Sequence, residues 1–499
     1  MTEPDYLEAG PNASAIIESL RAVGYSPQTA IADLIDNSVS AHATNVNVKF
    51  WWDGKDSWVA IIDDGAGMDP ERLTNAMRPG TMGPYEPRDP SDLGRFGLGL
   101  KTASFSQCRK LTVASKPLGG VVAYRTWDLD YVRKTNQWRL LTKPDSKTLE
   151  HLSELDDMAS GTIVLWESMD RLAGESHADN QKAMNRFLEV VDDVEDHLSM
   201  VFHRLIAEPN PRMQITIDCG SGPQALVAWD PFMEHHPATD PTPEEPIVLA
   251  DGIVRVRGFV LPHATMLTGE EHSRAGGHEG WNARQGFYIY RNDRLVVAGS
   301  WLGLGQGSPW TREEHYKLAR IRIDIPNSMD LAWHLDVKKS DARPPNEIRE
   351  RLKSLALHVR TKAKNVFSHR GAIGPRGKGE SIPPVWMKIR VDGHPAYKLD
   401  RSHPLVKRVR NELAPEARTN FSALLAFMEQ TVPIHRIWLD MSEEPEAHSG
   451  PFEHSPDDEV LEVASALFKT MTEDQGLTDI QARDRLRAME VFGAFVERL

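Results

Sequence analysis

The chain has 499 residues, 40% of them hydrophobic and 26% charged, with a formal net charge of -14. That length exceeds one core, so two or three globular domains are expected, and the acidic balance excludes a chain that coats nucleic acid non-specifically while allowing a local basic patch. Two cysteines, Cys108 and Cys219, exclude a disulfide framework and a C-x-x-C metal site; with no apolar run of membrane-spanning length and no signal pattern in MTEPDYLEAGPN, a soluble cytoplasmic protein is expected.

Residues Ala13–Val23 read as an amphipathic helix ending near Gly24. Ser26 and Pro27 then open a second helix as N-cap and first helical residue. Val46, Val48 and Phe50 alternate with polar residues, which predicts a strand, and the apolar run Trp58–Ile62 predicts a buried one. Asp63-Asp64-Gly65-Ala66-Gly67-Met68 follows, and Asp69-Pro70 starts another helix. The aperiodic stretch Arg78–Leu93 reads as a lid or insert. Gly94-Arg95-Phe96-Gly97-Leu98-Gly99-Leu100-Lys101 then opens a helix through Ser106. Strands are predicted at Lys110–Ser115, Val121–Leu129 and Gly161–Trp166.

From about residue 175 the character changes. A long helix is predicted over Asn185–Ile206, with strands at Gln214–Asp218, Ile253–Val260, Gly286–Tyr290, Leu295–Ala298 and Arg320–Ile325. Asn292-Asp293 reads as a hairpin turn. A helix is predicted from Asn346 to Val366, before the Gly-rich basic linker Gly371–Gly379. Beyond it a strand near Val385–Val391 and helices at Asn420–Gln430, Asp458–Thr472 and Thr478–Glu497 make a tail. The expected organisation is a domain at 1–174, a second at 175–370, the linker, and a carboxy-terminal domain at 380–499 of unassigned role.

The chemistry gathers in the first domain. In the helix AIADLIDNS, Asp33 and Asn37 are four residues apart and share a face. A carboxamide oxygen suits Mg²⁺, and a carboxylate can orient or deprotonate water. Taken alone, the stretch favours the reading of an ordinary amphipathic helix with a polar outer face. In Asp63-x-Gly65-x-Gly67, Asp63 can accept from an exocyclic amine while the glycines admit a flat ring; the plain alternative is an Asp-Gly turn. Gly94-x-x-Gly97-x-Gly99-x-Lys101 suits a polyphosphate, or is a flexible loop. It is not a P-loop, since Leu100 stands where that frame needs glycine, nor a dinucleotide motif, since no strand leads into it. Thr162 of Gly161-Thr162 can steady Asp63, or simply start a strand. The loop histidines His235, His236, His263, His272 and His278 have no convincing ligand spacing and read as solvated.

Together DLIDN, DDGAGM, GRFGLGLK and GT resemble the four motifs of the GHKL ATPases: gyrase B, heat-shock chaperone, histidine kinase and MutL. The likeness is greatest to the MORC and MutL-like branch, where a segment like GFYIYRNDRL (Gly286–Leu295) also occurs; it covers roughly residues 11–345. The resemblance implies an α/β sandwich of Bergerat type, an α+β transducer and a small, mostly helical mixed tail. It implies ATP with Mg²⁺, Asp33 as the water-activating carboxylate, and Asn37 as the metal ligand. Asp63, Gly65, Gly67 and Met68 fall at the adenine, Gly94, Gly97, Gly99 and Lys101 at the phosphates, and Thr162 behind Asp63. The transducer lysine falls on Lys338 or Lys339, with Lys339 preferred. One departure stands out: the family usually has Glu where this chain has Asp33, which puts the hydrolysis rate in doubt, and Asp36 is the alternative base. The resemblance further implies an ATP-dependent homodimer acting with DNA and effector proteins, as in restriction or phage-defence complexes. A chaperone-like remodeller and a non-hydrolysing nucleotide sensor are the rivals.

Overall fold

The computed structural model describes residues 10–22, 24–80, 99–174, 176–277, 279–330, 332–334, 342–370, 385–391, 394–433, 455 and 457–499. The chain divides into two compact units, Met1–Asn365 and Val366–Leu499.

The first unit opens with α1 (Ala13–Arg21) and α2 (Pro27–Ser40). Asn12 caps α1 through its side chain, and Pro27 begins α2 at the position where a missing N–H is harmless. From Ala30 to Asp36 every residue of α2 is buried. Over these two turns the helix is enclosed all round rather than amphipathic, and its carboxylates lie inside the protein. Burying Ile31, Leu34 and Ile35 contributes about 1.5–3 kcal/mol each.

Next come β1 (Asn45–Trp51), β2 (Trp58–Asp63), α3 (Pro70–Met77), α4 (Gly99–Phe105), β3 (Lys110–Lys116) and β4 (Ala123–Asp128). The short helices α5 (Leu129–Thr135), α6 (Ser146–Leu152) and α7 (Glu154–Asp157) lead to β5 (Gly161–Glu167), α8 (Gln181–Val201) and α9 (His203–Ile206). Then β6 (Gln214–Asp218) and β7 (Gln224–Ala225) complete a seven-stranded sheet ordered β4-β3-β5-β2-β1-β6-β7. The continuous apolar runs of β2 and β5 have a physical cause: both faces of their sheet are covered. Val59, Ile61, Val164 and Trp166 join the core of α1, α2 and α8. Ala60, Ile62, Ile163 and Leu165 pack instead on Leu152 of α6 and Leu155 of α7.

The strand β6 runs parallel to β1, with Asn45 opposite Gln214. This first sheet therefore extends past residue 174, the expected boundary, as far as Ala225.

A second sheet follows, from β8 (Asp240–Pro241), β9 (Glu245–Leu249), β10 (Gly252–Val260), β11 (Gly286–Arg291) and β12 (Arg294–Ser300). After the small hairpin β13 (Gly305–Gln306) and β14 (Ser308–Pro309) comes β15 (Ala319–Ile325). The order is β12-β11-β15-β10-β8, with β9 also on β10. The β11–β12 turn is as expected: Asn292 and Asp293 have φ of 48° and 63°, the left-handed pair of a type I′ turn. Between β10 and β11 lie the short helices α10 (Gly269–Gly276) and α11 (Gly280–Ala283), and the long helix α12 (Asn346–Arg370) is held by Arg360, whose guanidinium carbon lies 3.7 Å from the Tyr316 ring centre and 4.5 Å from that of Trp301.

The second unit contains the hairpin β16 (Trp386–Val391) and β17 (His394–Leu399), then α13 (Pro404–Glu412) and α14 (Pro415–Gln430). Its core is Val460, Leu467, Leu486 and Phe492 from the closing helices. The helix expected over 478–497 is broken, stopping at Ala488 and restarting at Glu490. The expected linker 371–379 lies outside the described residues.

Candidate functional site

The end of β2 delivers Asp63, and α2 supplies its support. Ser38 Oγ donates to Asp63 Oδ2 at 2.9 Å, and the Gly65 amide donates to Oδ1 at 3.0 Å. Burial pushes the Asp63 carboxyl above its ordinary range, while the bonds from Gly65 and Ser38 pull against it. The next residue faces the other way. Asp64 accepts from the Thr44 and Asn45 amides at 2.7 and 2.8 Å and ties down the entry to β1.

The two glycines behind Asp63 are required by the protein itself. A Cβ on Gly67, which has φ of 66°, would lie 2.0 Å from the Lys116 carbonyl oxygen. One on Gly65 would lie 2.8 Å from the Ala41 Cβ. The expected freedom to approach a flat ring is therefore joined by a packing demand. Met68 donates its amide to Ser115 Oγ at 2.8 Å, and Ser115 Oγ lies 2.9 Å from Thr162 Oγ1. Thr162 is the strand partner of Asp63 and assists it through its backbone N–H, but its hydroxyl is engaged with Ser115 and not with the carboxylate, as was expected.

Asp33 is 5% exposed, and its Oδ2 accepts from the Tyr25 hydroxyl at 3.0 Å. Gly99 stands close by: a Cβ there would be 3.9 Å from Asp33 Oδ2, so the start of α4 lies against this carboxylate. One turn further along α2, Asn37 is exposed. Asp36 is 1% exposed and lies 3.1 Å from Arg294 Nε, which makes it a structural ion-pair partner rather than an accessible base.

Lys101 is buried, and its ammonium donates to the Ala76 carbonyl at 2.9 Å. Trp127 Nε1 donates to the neighbouring Met77 carbonyl at 2.9 Å. Both groups close the carboxyl end of α3, where carbonyls lack helical partners and a positive charge is favoured. Burial pulls the Lys101 pKa down to about 8. The phosphate role expected for Lys101 thus meets a side chain already bonded to α3. Gly94, Gly97, Lys338 and Lys339, and residues 81–93 of the expected lid, lie outside the described residues.

Tyr25, Ser38, Ser115 and Arg294 went unrecognised in the sequence. Ser38 carried a signal there as the neighbour of Asn37 on a helix already singled out, and Arg294 as a member of the segment GFYIYRNDRL. Among the described residues no group of three or more His, Cys, Asp or Glu could hold a metal; Asn37, exposed, carries a carboxamide oxygen of the kind that suits Mg²⁺. No described helix is long and apolar enough to cross a membrane.

Residues 25–162, from Tyr25 to Thr162 and so through all four motifs, match the family described as histidine kinase-, DNA gyrase B- and HSP90-like ATPase. The amino-terminal domain is of this GHKL class. Over 97 residues the chain is 32% identical to ATPase morc-1 of Caenorhabditis elegans, a stretch that makes up 19% of this chain and 11% of that protein. The likeness to GHKL ATPases, with a MORC protein among them, stands on both findings.

Proposed function

We propose that the chain is a Mg²⁺-dependent ATPase that works as a conformational switch. One observation carries the reading: a single helix, α2, holds Asp33 and the exposed Asn37, and through Ser38 braces Asp63 at the end of β2. Asp63 accepts from the exocyclic amine of adenine, beside the turn of Gly65, Gly67 and Met68. Asn37 holds Mg²⁺, which neutralises charge on the phosphates when bound. Asp33 orients a water and takes its proton as the water oxygen bonds to the terminal phosphorus; the bond to the bridging oxygen breaks, and ADP leaves with its electron pair. Lys339 is proposed to reach the terminal phosphate from the second domain, which acts as a transducer. Closure on ATP brings two protomers together, and the branch resemblance supports action with DNA and effector proteins in a defence-type complex, within the cytoplasm.

The test separates binding from chemistry. Asp33→Asn is expected to leave ATP affinity near normal by calorimetry and to lower turnover about 10²- to 10⁴-fold, the worth of a positioned base. Asn37→Ala is expected to weaken Mg²⁺-dependent binding itself. Wild-type turnover in Asp33→Asn would remove Asp33 as the base, and absent turnover in the native chain would leave a nucleotide sensor.

A further inference from the structure

The hairpin β11–β12 belongs to the second sheet, yet its tip packs on α2, α9 and the segment before β6. Asp293, in the turn, lies 2.7 Å from Arg212 and 3.4 Å from Arg204, which follow α8 in the chain. Arg204 also pairs with Asp324 of β15 and stacks 3.6 Å over the ring of Tyr290, whose hydroxyl lies 2.8 Å from His203 Nε2. The turn conformation and these contacts fix where the next residue, Arg294, must go.

Arg294 enters the first domain at α2. It is 5% exposed, and its Nε lies 3.1 Å from Asp36 Oδ1 while its second terminal nitrogen lies 3.8 Å from Asp33 Oδ1. Its other terminal nitrogen donates to the Leu295 carbonyl at 2.8 Å, so the guanidinium cannot swing without breaking a backbone bond. His197 of α8 lies in the same neighbourhood; burial, then Arg294 and Arg284, pull its pKa down to about 3, so it brings no charge to the cluster. One planar cation therefore spans two buried carboxylates a turn apart.

We propose that Arg294 is a positioning residue for hydrolysis: by clasping Asp36 and bordering Asp33, it sets the rotamer of Asp33 and makes the reaction depend on the seating of the second-sheet hairpin. The inference rests on the reading of Asp33 as the base. Asp36 is the anchor that locates the guanidinium, and Tyr25 holds the other oxygen of Asp33. Asp33 thus has the Tyr25 hydroxyl on one oxygen and the Arg294 guanidinium beside the other. A misplacement of about 1 Å in such a group costs on the order of 100-fold in rate.

The experiment removes the clasp and its Asp36 anchor together, so that Asp36 is not left as an unpaired buried charge. Arg294→Met alone strands two carboxylates and is expected to lower the denaturation midpoint. The double variant Asp36→Asn/Arg294→Met has the same net charge as the native trio and is expected to restore that midpoint. Its affinity for a non-hydrolysable ATP analogue should match the native chain, while kcat falls about 10- to 100-fold. Arg294→Lys, which keeps the charge but not the fork, is expected to fold and still turn over slowly. A stable double variant with native kcat would overturn the inference, and so would native kcat in Arg294→Lys should the double variant fail to fold. Asp33→Asn, assayed alongside, keeps the two claims apart. Slow Asp33→Asn with a fast double variant defeats the role of Arg294 alone, whereas fast Asp33→Asn defeats the base assignment beneath it.

Discussion

Lys101 illustrates how much one buried charge decides. Its ammonium caps α3 through Ala76, but the same burial lowers its pKa from 10.5 to about 8. A lysine depressed in the folded state opposes folding while charged in both states, which is the condition below about pH 8. That cost is relieved as pH rises from the folded value toward the unfolded 10.5, so this group makes stability increase across that window. The size follows from about 1.4 kcal/mol per pKa unit, giving at most ~3.5 kcal/mol. Urea denaturation at pH 7, 9 and 10 checks it. The native chain should gain stability relative to Lys101→Met as pH rises, and a pH-independent difference would show that burial does not depress the group. Asp64 shows the opposite balance, because its hydrogen bonds from Asn45 and Thr44 outweigh a partial burial and hold its carboxyl below the usual range.

At the scale of elements, the turn after β2 is the least forgiving piece. Gly67 combines a left-handed backbone with a contact that leaves no room for a side chain. Gly67→Ala is expected to destabilise the protein by about 3 kcal/mol or more and to loosen the link from Met68 to Ser115; thermal melting checks it, and an unchanged midpoint would mean that the turn can move. Much of this was legible beforehand. Asp69-Pro70 marked a helix start through a side-chain cap, Ser26-Pro27 marked another through its proline although Ser26 makes no capping hydrogen bond, and Asn292-Asp293 marked a turn that needs two left-handed residues. The helices α5, α6 and α7 were not predicted, since elements of 7, 7 and 4 residues are too short to show a period. Pairing was equally hidden. Nothing local says that β6 joins β1, or that Arg294 meets Asp36 from 258 residues away, because such contacts are set by the packing of whole layers. Helical spacing aligned Asp33 with Asn37, but whether that face met water or protein depended on the rest of the fold.

The whole molecule carries -14 charges, and the arginines on the second sheet do not offset them as a free basic face. Among the described residues Arg255 pairs with Glu244, Arg257 with Glu234, Arg322 with both, and Arg351 with Glu245. These paired arginines are thus poorly suited to hold a polyanion, whose capture depends on unpaired cations releasing counterions. On the proposed reading the form that engages DNA is the ATP-closed pair. Asp33→Asn should expose that form, because it is expected to bind ATP without hydrolysing it. Mixed with ATP and Mg²⁺, this variant is expected to move in light scattering from the 56.0 kDa of one chain to twice that mass and to stay there. The native chain should return to one protomer as ATP is consumed. At about 150 mM salt, gel retardation of duplex DNA is expected from the trapped pair and not from the nucleotide-free chain, with a shallow salt dependence that reflects few phosphate contacts. A trapped variant that remains a single protomer would exclude ATP-driven pairing. A stable pair that never retards DNA would instead favour a clamp for protein clients, because closure would then be intact and only its cargo reassigned.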